Sequence, residues 1–137
     1  MSISAEAIAH VRLTVCDIER SRAFYEAVFG WPVALEVPAG ADEETRQRLS
    51  FLHGGVIYRM PQGLLGLRPA ATDRFDENRV GLDHLAFAVQ SLAELEAAAT
   101  HLDTCGVIRE EIKDIGVSYI LEFRDPDNIA LELVAPK

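Results

Sequence analysis

Cysteine is nearly absent from this chain. Cys16 and Cys105 are the only two in 137 residues. Lying far apart, they suggest no disulfide framework, so reduced thiols are expected. Lysine is equally scarce: Lys113 and Lys137 stand against eleven arginines, and with 22 acidic residues the formal net charge is -9. Such an acidic surface repels phosphate backbones, which argues against nucleic acid as a partner. No apolar run approaches the roughly 20 residues that cross a bilayer, so no membrane span is expected. The first residues, Met1-Ser2-Ile3-Ser4-Ala5-Glu6, lack the basic and then apolar pattern of a signal peptide, which makes the cytoplasm the expected compartment. What is abundant is apolar character, at 49% of residues, enough for the packed core of one domain over 1–137.

The pattern along the chain runs twice. Ile8-Ala9-His10-Val11-Arg12-Leu13-Thr14-Val15 alternates with period two, placing His10, Arg12 and Thr14 on one strand face and Val11, Leu13 and Val15 on the other. Asp17 then reads as the N-cap of a helix through about Phe29, with Phe24, Ala27 and Val28 on its apolar stripe, halted by Gly30 and Pro32. Residues 31–68 read as three strands, at Val33–Val37, at about Leu49–His53, and at Val56–Met60 or Leu64–Leu67, with Ala39–Arg48 a polar loop or short helical turn. Residues 69–80 carry no period and serve as a linker.

The second half repeats the plan. Leu82-Asp83-His84-Leu85-Ala86-Phe87-Ala88-Val89 is the matching strand. Ser91 with Glu94 three residues later forms a capping box for a helix whose stripe is Leu92, Leu95, Ala98, Ala99 and Leu102. Strands at Val107–Glu111, Val117–Phe123 and Ile129–Val134 follow. The histidines are 84 − 10 = 74 residues apart, and each half reads β-α-β-β-β: module 1 over about 7–68 and module 2 over about 81–136. The expected fold class is α+β, with two tandem modules.

Two imidazoles and one carboxylate make a ligand set for a divalent metal with open coordination positions. His10, His84 and Glu132 are the candidates. Their strand faces also carry Ala86, Ala88 and Ala130, which leave room for a substrate, while the opposite faces (Leu85, Phe87, Val89; Leu131, Leu133) suit packing under helices. Arg12, on the His10 face, is a candidate contact for a substrate carboxylate, or a salt-bridged strand arginine. Glu122 is a candidate general base if it faces the metal, or a solvated strand glutamate. His53 and His101 read as turn and surface residues, and Phe24 and Tyr25 as packing.

The paired His-led strands, the duplication, and the ending Phe123-Arg124-Asp125-Pro126-Asp127-Asn128-Ile129-Ala130-Leu131-Glu132-Leu133 resemble the vicinal-oxygen-chelate superfamily, which includes glyoxalases, extradiol dioxygenases and bleomycin-resistance proteins. The resemblance extends from about Ile8 to Pro136. It implies a curved, cup-like mixed sheet, usually in a homodimer, with one divalent ion (Zn, Ni, Mn, Mg or Fe) held by His10, His84 and Glu132. It also implies Lewis-acid lyase, isomerase or transferase chemistry on a small substrate with vicinal oxygens. An Fe(II) extradiol-type dioxygenase and a non-catalytic, bleomycin-resistance-like binding protein are the alternatives. Where glyoxalase I has a fourth ligand, this chain aligns Gly66, and where the dioxygenases have a tyrosine it has Glu122.

Overall fold

The computed structural model describes all residues, 1–137. The chain forms two compact units: unit 1 comprises residues 1–25 and 29–72, and unit 2 comprises residues 26–28 and 73–137. No helix is long and apolar enough to cross a membrane.

Unit 1 holds a four-stranded sheet, β1 (His10–Thr14), β2 (Val33–Leu35), β3 (Val56–Arg59) and β4 (Leu64–Arg68), in the order β1-β4-β3-β2. The β1–β4 pair is parallel and the other pairs are antiparallel. Helix α1 (Ile18–Val28) follows β1, capped by the Asp17 carboxylate, which accepts from the Arg20 backbone N–H at 3.1 Å. Its buried stripe runs through Ser21 and Tyr25, while Phe24 and Val28 are half-buried and Ala27 is exposed. The polar stretch before Leu49 contains a short helix, α2 (Glu43–Arg48), capped by Asp42.

A strand is expected near Leu49–His53, but the chain there makes a 3-10 turn, Ser50–Leu52. The reason lies in the spacing. Leu49 and Leu52, three apart, are both buried, while Phe51 between them is exposed. That is a helical period, too short a stretch for the alternation of a strand to declare itself. Both remaining candidates in this region, β3 and β4, are strands.

Unit 2 repeats the sheet with β5 (Leu85–Ala88), β6 (Lys113–Asp114), β7 (Ser118–Arg124) and β8 (Ala130–Pro136), in the order β5-β8-β7-β6. Again only β5–β8 is parallel. Helix α3 (Leu92–Thr104) buries Leu95, Ala99 and Leu102. The Ser91 hydroxyl accepts from Glu94 N–H at 3.2 Å, and the Glu94 carboxylate returns to the N–H of Gln90 at 2.8 Å, one residue earlier than a standard capping box. The strand expected at Val107–Glu111 reduces to a single bridge between Arg109 and Phe123. The Arg109 guanidinium is drawn to Asp103 at 2.9 Å and to the Ala99 carbonyl at 3.2 Å on α3, and Ile108 beside it is exposed. That segment touches β7 through this bridge and the Glu110 N–H to Glu122 carbonyl bond at 2.9 Å, while its arginine turns to α3.

The core of each unit is the inward strand face. Leu13, Val15, Val56, Tyr58, Leu65 and Leu67 fill unit 1, and Leu121, Phe123, Leu131 and Leu133 fill unit 2 beside the helix stripes. The opposite faces stay partly open, and they hold the polar side chains. The architecture is the α+β, two-module mixed-sheet fold that the duplication implies.

Candidate metal centre and the two open sheet faces

Strand register shows which residues of the two units are equivalent. Arg12 pairs with Gly66 and Gly66 with Ile57 in unit 1; Ala86 pairs with Glu132 and Glu132 with Glu122 in unit 2. Paired residues share a sheet face. Gly66 therefore stands where Glu132 stands in the other unit, as the sequence alignment of the two halves expects, and Ile57 stands where Glu122 stands.

In unit 2 the open face carries two glutamates directly opposite one another, Glu122 and Glu132. Like charges in that relation destabilise a sheet unless a cation relieves them. Each has one. Lys113 Nζ donates to Glu122 Oε2 at 3.0 Å, and its own pKa is raised by that bond. His84 Nε2 lies 3.6 Å from Glu132 Oε2. His84 Nδ1 is bonded to Asp83 Oδ1 at 2.6 Å, and this bond, with a smaller contribution from the Glu132 charge, raises the His84 pKa from its ordinary value against some opposing desolvation. With Nδ1–H held by Asp83, the free lone pair of the neutral ring sits on Nε2, toward Glu132. A carboxylate behind a ligating histidine fixes its tautomer and orientation in metal sites generally.

Two donors on one tetrahedral ion with bonds near 2.1 Å lie about 3.4 Å apart, so the separation of Nε2 and Oε2 suits a shared cation. A cavity of about 180 Å³ opens there, lined by His84, Glu122, Arg124, Ala130 and Glu132 among others. His84 is half-exposed and Glu132 is largely covered. Arg124, next to Glu122 but one along the same face, is locked by two bonds to Glu77 (2.8 and 3.1 Å), which bring Glu77 down to about 2.

Of the expected ligands, the structure brings His84 and Glu132 together; His10 stands on unit 1, and no three His, Cys, Asp or Glu side chains converge. Glu122 shares the Glu132 face. Arg12 lies on the His10 face, and its Nη2 donates to the Phe51 carbonyl at 2.6 Å, with the guanidinium carbon 5.9 Å from the Phe51 ring centroid. A cavity of about 250 Å³ is lined there by His10, Arg12, Phe51, Ile57, Leu64 and Gly66.

Sequence reasoning missed Asp83, Lys113 and Arg68. Asp83 adjoins His84, and neighbours on a strand point to opposite faces, so alternation hid it. β5 begins only at Leu85, which frees the two side chains to meet. Lys113 is nine residues from Glu122, and only the β6–β7 pairing places it alongside.

The lactoylglutathione lyase of Schizosaccharomyces pombe is 27% identical to this chain over 152 aligned positions, which cover 97% of the chain and 48% of that protein, so the chain spans about half of its curated relative. Among solved structures, a glyoxylase/bleomycin resistance protein/dioxygenase domain from Frankia sp. EAN1pec is 30% identical with a TM-score of 0.77, covering 98% of this chain and 94% of that one. A mutant of the genomically encoded fosfomycin resistance protein of Listeria monocytogenes, complexed with Mn(II) and 1S,2S-dihydroxypropylphosphonic acid, shares the fold at a TM-score of 0.74 and 19% identity, over 99% and 95% of the two chains. With its residues 7–133 matched by that family's model, the chain belongs to the Glyoxalase/Bleomycin resistance protein/Dioxygenase superfamily.

Proposed function

We propose that this protein is a divalent-metal-dependent enzyme acting on a small substrate with two neighbouring oxygens, by Lewis-acid chemistry of the lyase, isomerase or transferase type. The observation that carries the reading is the cation-seeking group on unit 2: His84, oriented by Asp83, beside two opposed glutamates. His84, Glu132 and His10 would hold the ion, in a homodimer. When bound, the ion would polarise the substrate oxygens and stabilise negative charge developing on them.

The remaining work falls to this chain's own groups. Glu122 keeps one carboxylate oxygen on Lys113, and the other is offered to a substrate proton in the cavity. Ala86 and Ala130 leave the space that the substrate needs. Gly66 contributes no donor, so the set is three protein ligands rather than four.

Metal content by mass spectrometry tests the reading. The wild-type protein is expected to carry near-stoichiometric metal, lost in His84→Ala and Glu132→Gln and retained in Glu122→Gln, which should lose turnover instead. Zn, Ni, Mn or Mg fits the Lewis-acid proposal, and iron would favour the dioxygenase alternative. Wild-type protein that takes up no metal after reconstitution would sink both. Mixing His10→Ala with Glu132→Gln decides how the site is completed: metal returns if two copies share it, and stays absent if one chain builds it.

A further inference from the structure

The strands of unit 1 put three arginines and no carboxylate on its open face, whereas those of unit 2 mix Glu122 and Glu132 with Lys113 and Arg124. The register places Arg12, Arg59 and Arg68 on it: Arg12 pairs with Gly66, Arg59 with Leu64, and Arg68 follows Gly66 by two residues. Several arginines elsewhere are matched to carboxylates, as in Arg22–Glu36, Arg109–Asp103 and Arg124–Glu77. On this face the partners of Arg12 and Arg68 carry no negative charge. Arg12 donates to the Phe51 carbonyl and lies over its ring. Arg68 Nη2 lies 3.4 Å from His53 Nε2, and since a guanidinium can only donate, the ring nitrogen is the acceptor in that contact. A turn with left-handed backbone at His53 (φ 51°) and Gly54 (φ 77°) returns the ring toward the sheet.

Arg12 and Arg68 are one strand and two residues apart, about 8 Å between Cα atoms in an ordinary sheet, which two long side chains can close onto one group. Between them lies Gly66, where an added Cβ would fall 3.1 Å from Arg12 Cγ, so the glycine makes room for the arginine stem. The cavity beside Arg12 is otherwise lined by His10, Val11, Gly66 and an apolar wall of Ile57, Leu64 and the exposed Phe51 ring, and Arg68 stands on the same sheet face outside that lining.

We propose that this face binds a small carboxylate with a flat or branched apolar body, the carboxylate between Arg12 and Arg68 and the body against Phe51, Ile57 and Leu64. Guanidinium forks suit a carboxylate, and the low-polarity wall beside them strengthens the contact. As a statement of substrate class, it rests on the reading that the His10 face belongs to the substrate site; the binding itself does not depend on a metal.

The test is calorimetric titration of metal-stripped protein with 3-phenylpropionate and its neutral amide, 3-phenylpropanamide. The acid is expected to bind at least about tenfold tighter, as charge-assisted bonds imply, with the advantage shrinking as salt rises. Arg12→Ala and Arg68→Ala should each reduce the acid to the level of the amide, and Arg12→Lys, which keeps charge but not the fork, should retain part of the preference. Circular dichroism verifies folding, with Arg12→Lys serving if an alanine variant does not fold. Equal affinity for acid and amide, or a preference that survives both alanine variants, would overturn the proposal. In metal-stripped Glu132→Gln the preference should persist even if the metal reading fails; its loss there would place the anion elsewhere and also overturn it.

Discussion

The two sheets use one register and fill it in opposite ways. His10, the first residue of β1, and His84, just before β5, occupy equivalent positions, and the β1–β4 and β5–β8 pairings after them match residue for residue. Beyond them the occupants diverge: Arg12 faces Gly66 in unit 1, while Ala86 faces Glu132 in unit 2. Each pair joins one long charged side chain to one small residue, but the long member changes strand and sign. Across the next strand Ile57 answers Glu122. The lesson is that at this one pair the two units keep a long residue against a small one while reversing the charge. Which strand supplies the long member sets the sign of the charge at this pair, Arg12 in unit 1 and Glu132 in unit 2.

The largest effect expected is one that ignores this divergence. Leu65 and Leu131 are equivalent by register and both almost wholly buried. Leu65→Ala and Leu131→Ala should each cost about 2–5 kcal/mol in urea unfolding. Costs differing by more than about 2 kcal/mol would show that the two cores do not tolerate cavities alike.

Asp83 sharpens the contrast between the histidines. Asp83→Asn should weaken metal binding about 10- to 100-fold in a competition titration, because the bond orienting His84 loses its charge. Unchanged affinity would reduce Asp83 to a surface ion-pair partner.

Exchanging the pair is the direct way to break the comparison. Gly66→Glu alone must displace the Arg12 stem, since any Cβ there meets Cγ at 3.1 Å. Adding Arg12→Ala reproduces the Ala86/Glu132 arrangement and should recover about 1 kcal/mol relative to additivity in a double-mutant cycle. A coupling of zero would mean that volume matching is not what links these positions.

The smallest effect lies at Glu77. Arg124 lowers its pKa from the ordinary 4.5 to about 2. A carboxylate depressed in the folded state adds stability above its unfolded pKa and surrenders it as pH falls through the folded value. The window therefore runs from about pH 4.5 down to about 2. Glu77→Gln should flatten the acid limb of the stability curve slightly, and less at high salt because the pair is exposed. An identical acid limb in the variant would deny the pair any part in acid unfolding.

How much of this was legible in the sequence follows from the range of each signal. Alternation in His10–Thr14 and Ala130–Val134 assigned faces correctly, because burial on one side of a strand repeats every two residues. The Asp125-Pro126-Asp127-Asn128 turn was readable as well: Asn128 adopts φ 69°, and its side-chain amide donates to the Phe75 carbonyl at 3.1 Å. The segments at 49–53 and 107–111 were misread because each is only a few apolar residues long, and there a helical turn, a bridge and a strand look alike. The Lys113 partner of Glu122 and the Asp83 partner of His84 depended on pairing across strands and on where β5 begins, which no local window contains.

The last turn of α1 has a consequence for dissection of the chain. Residues Glu26–Val28 belong to unit 2, although the rest of the helix belongs to unit 1. Within unit 2, His101 Nε2 holds the Ala27 carbonyl at 2.8 Å, with Cys105 Sγ 3.8 Å from the same oxygen. A cut at residue 72 would thus divide the polypeptide without dividing the units, since the N-terminal fragment would carry off a piece of the other half. The halves of this duplication are no longer interchangeable parts. A gene fragment encoding residues 73–137 alone would specify a unit 2 that lacks one of its own turns.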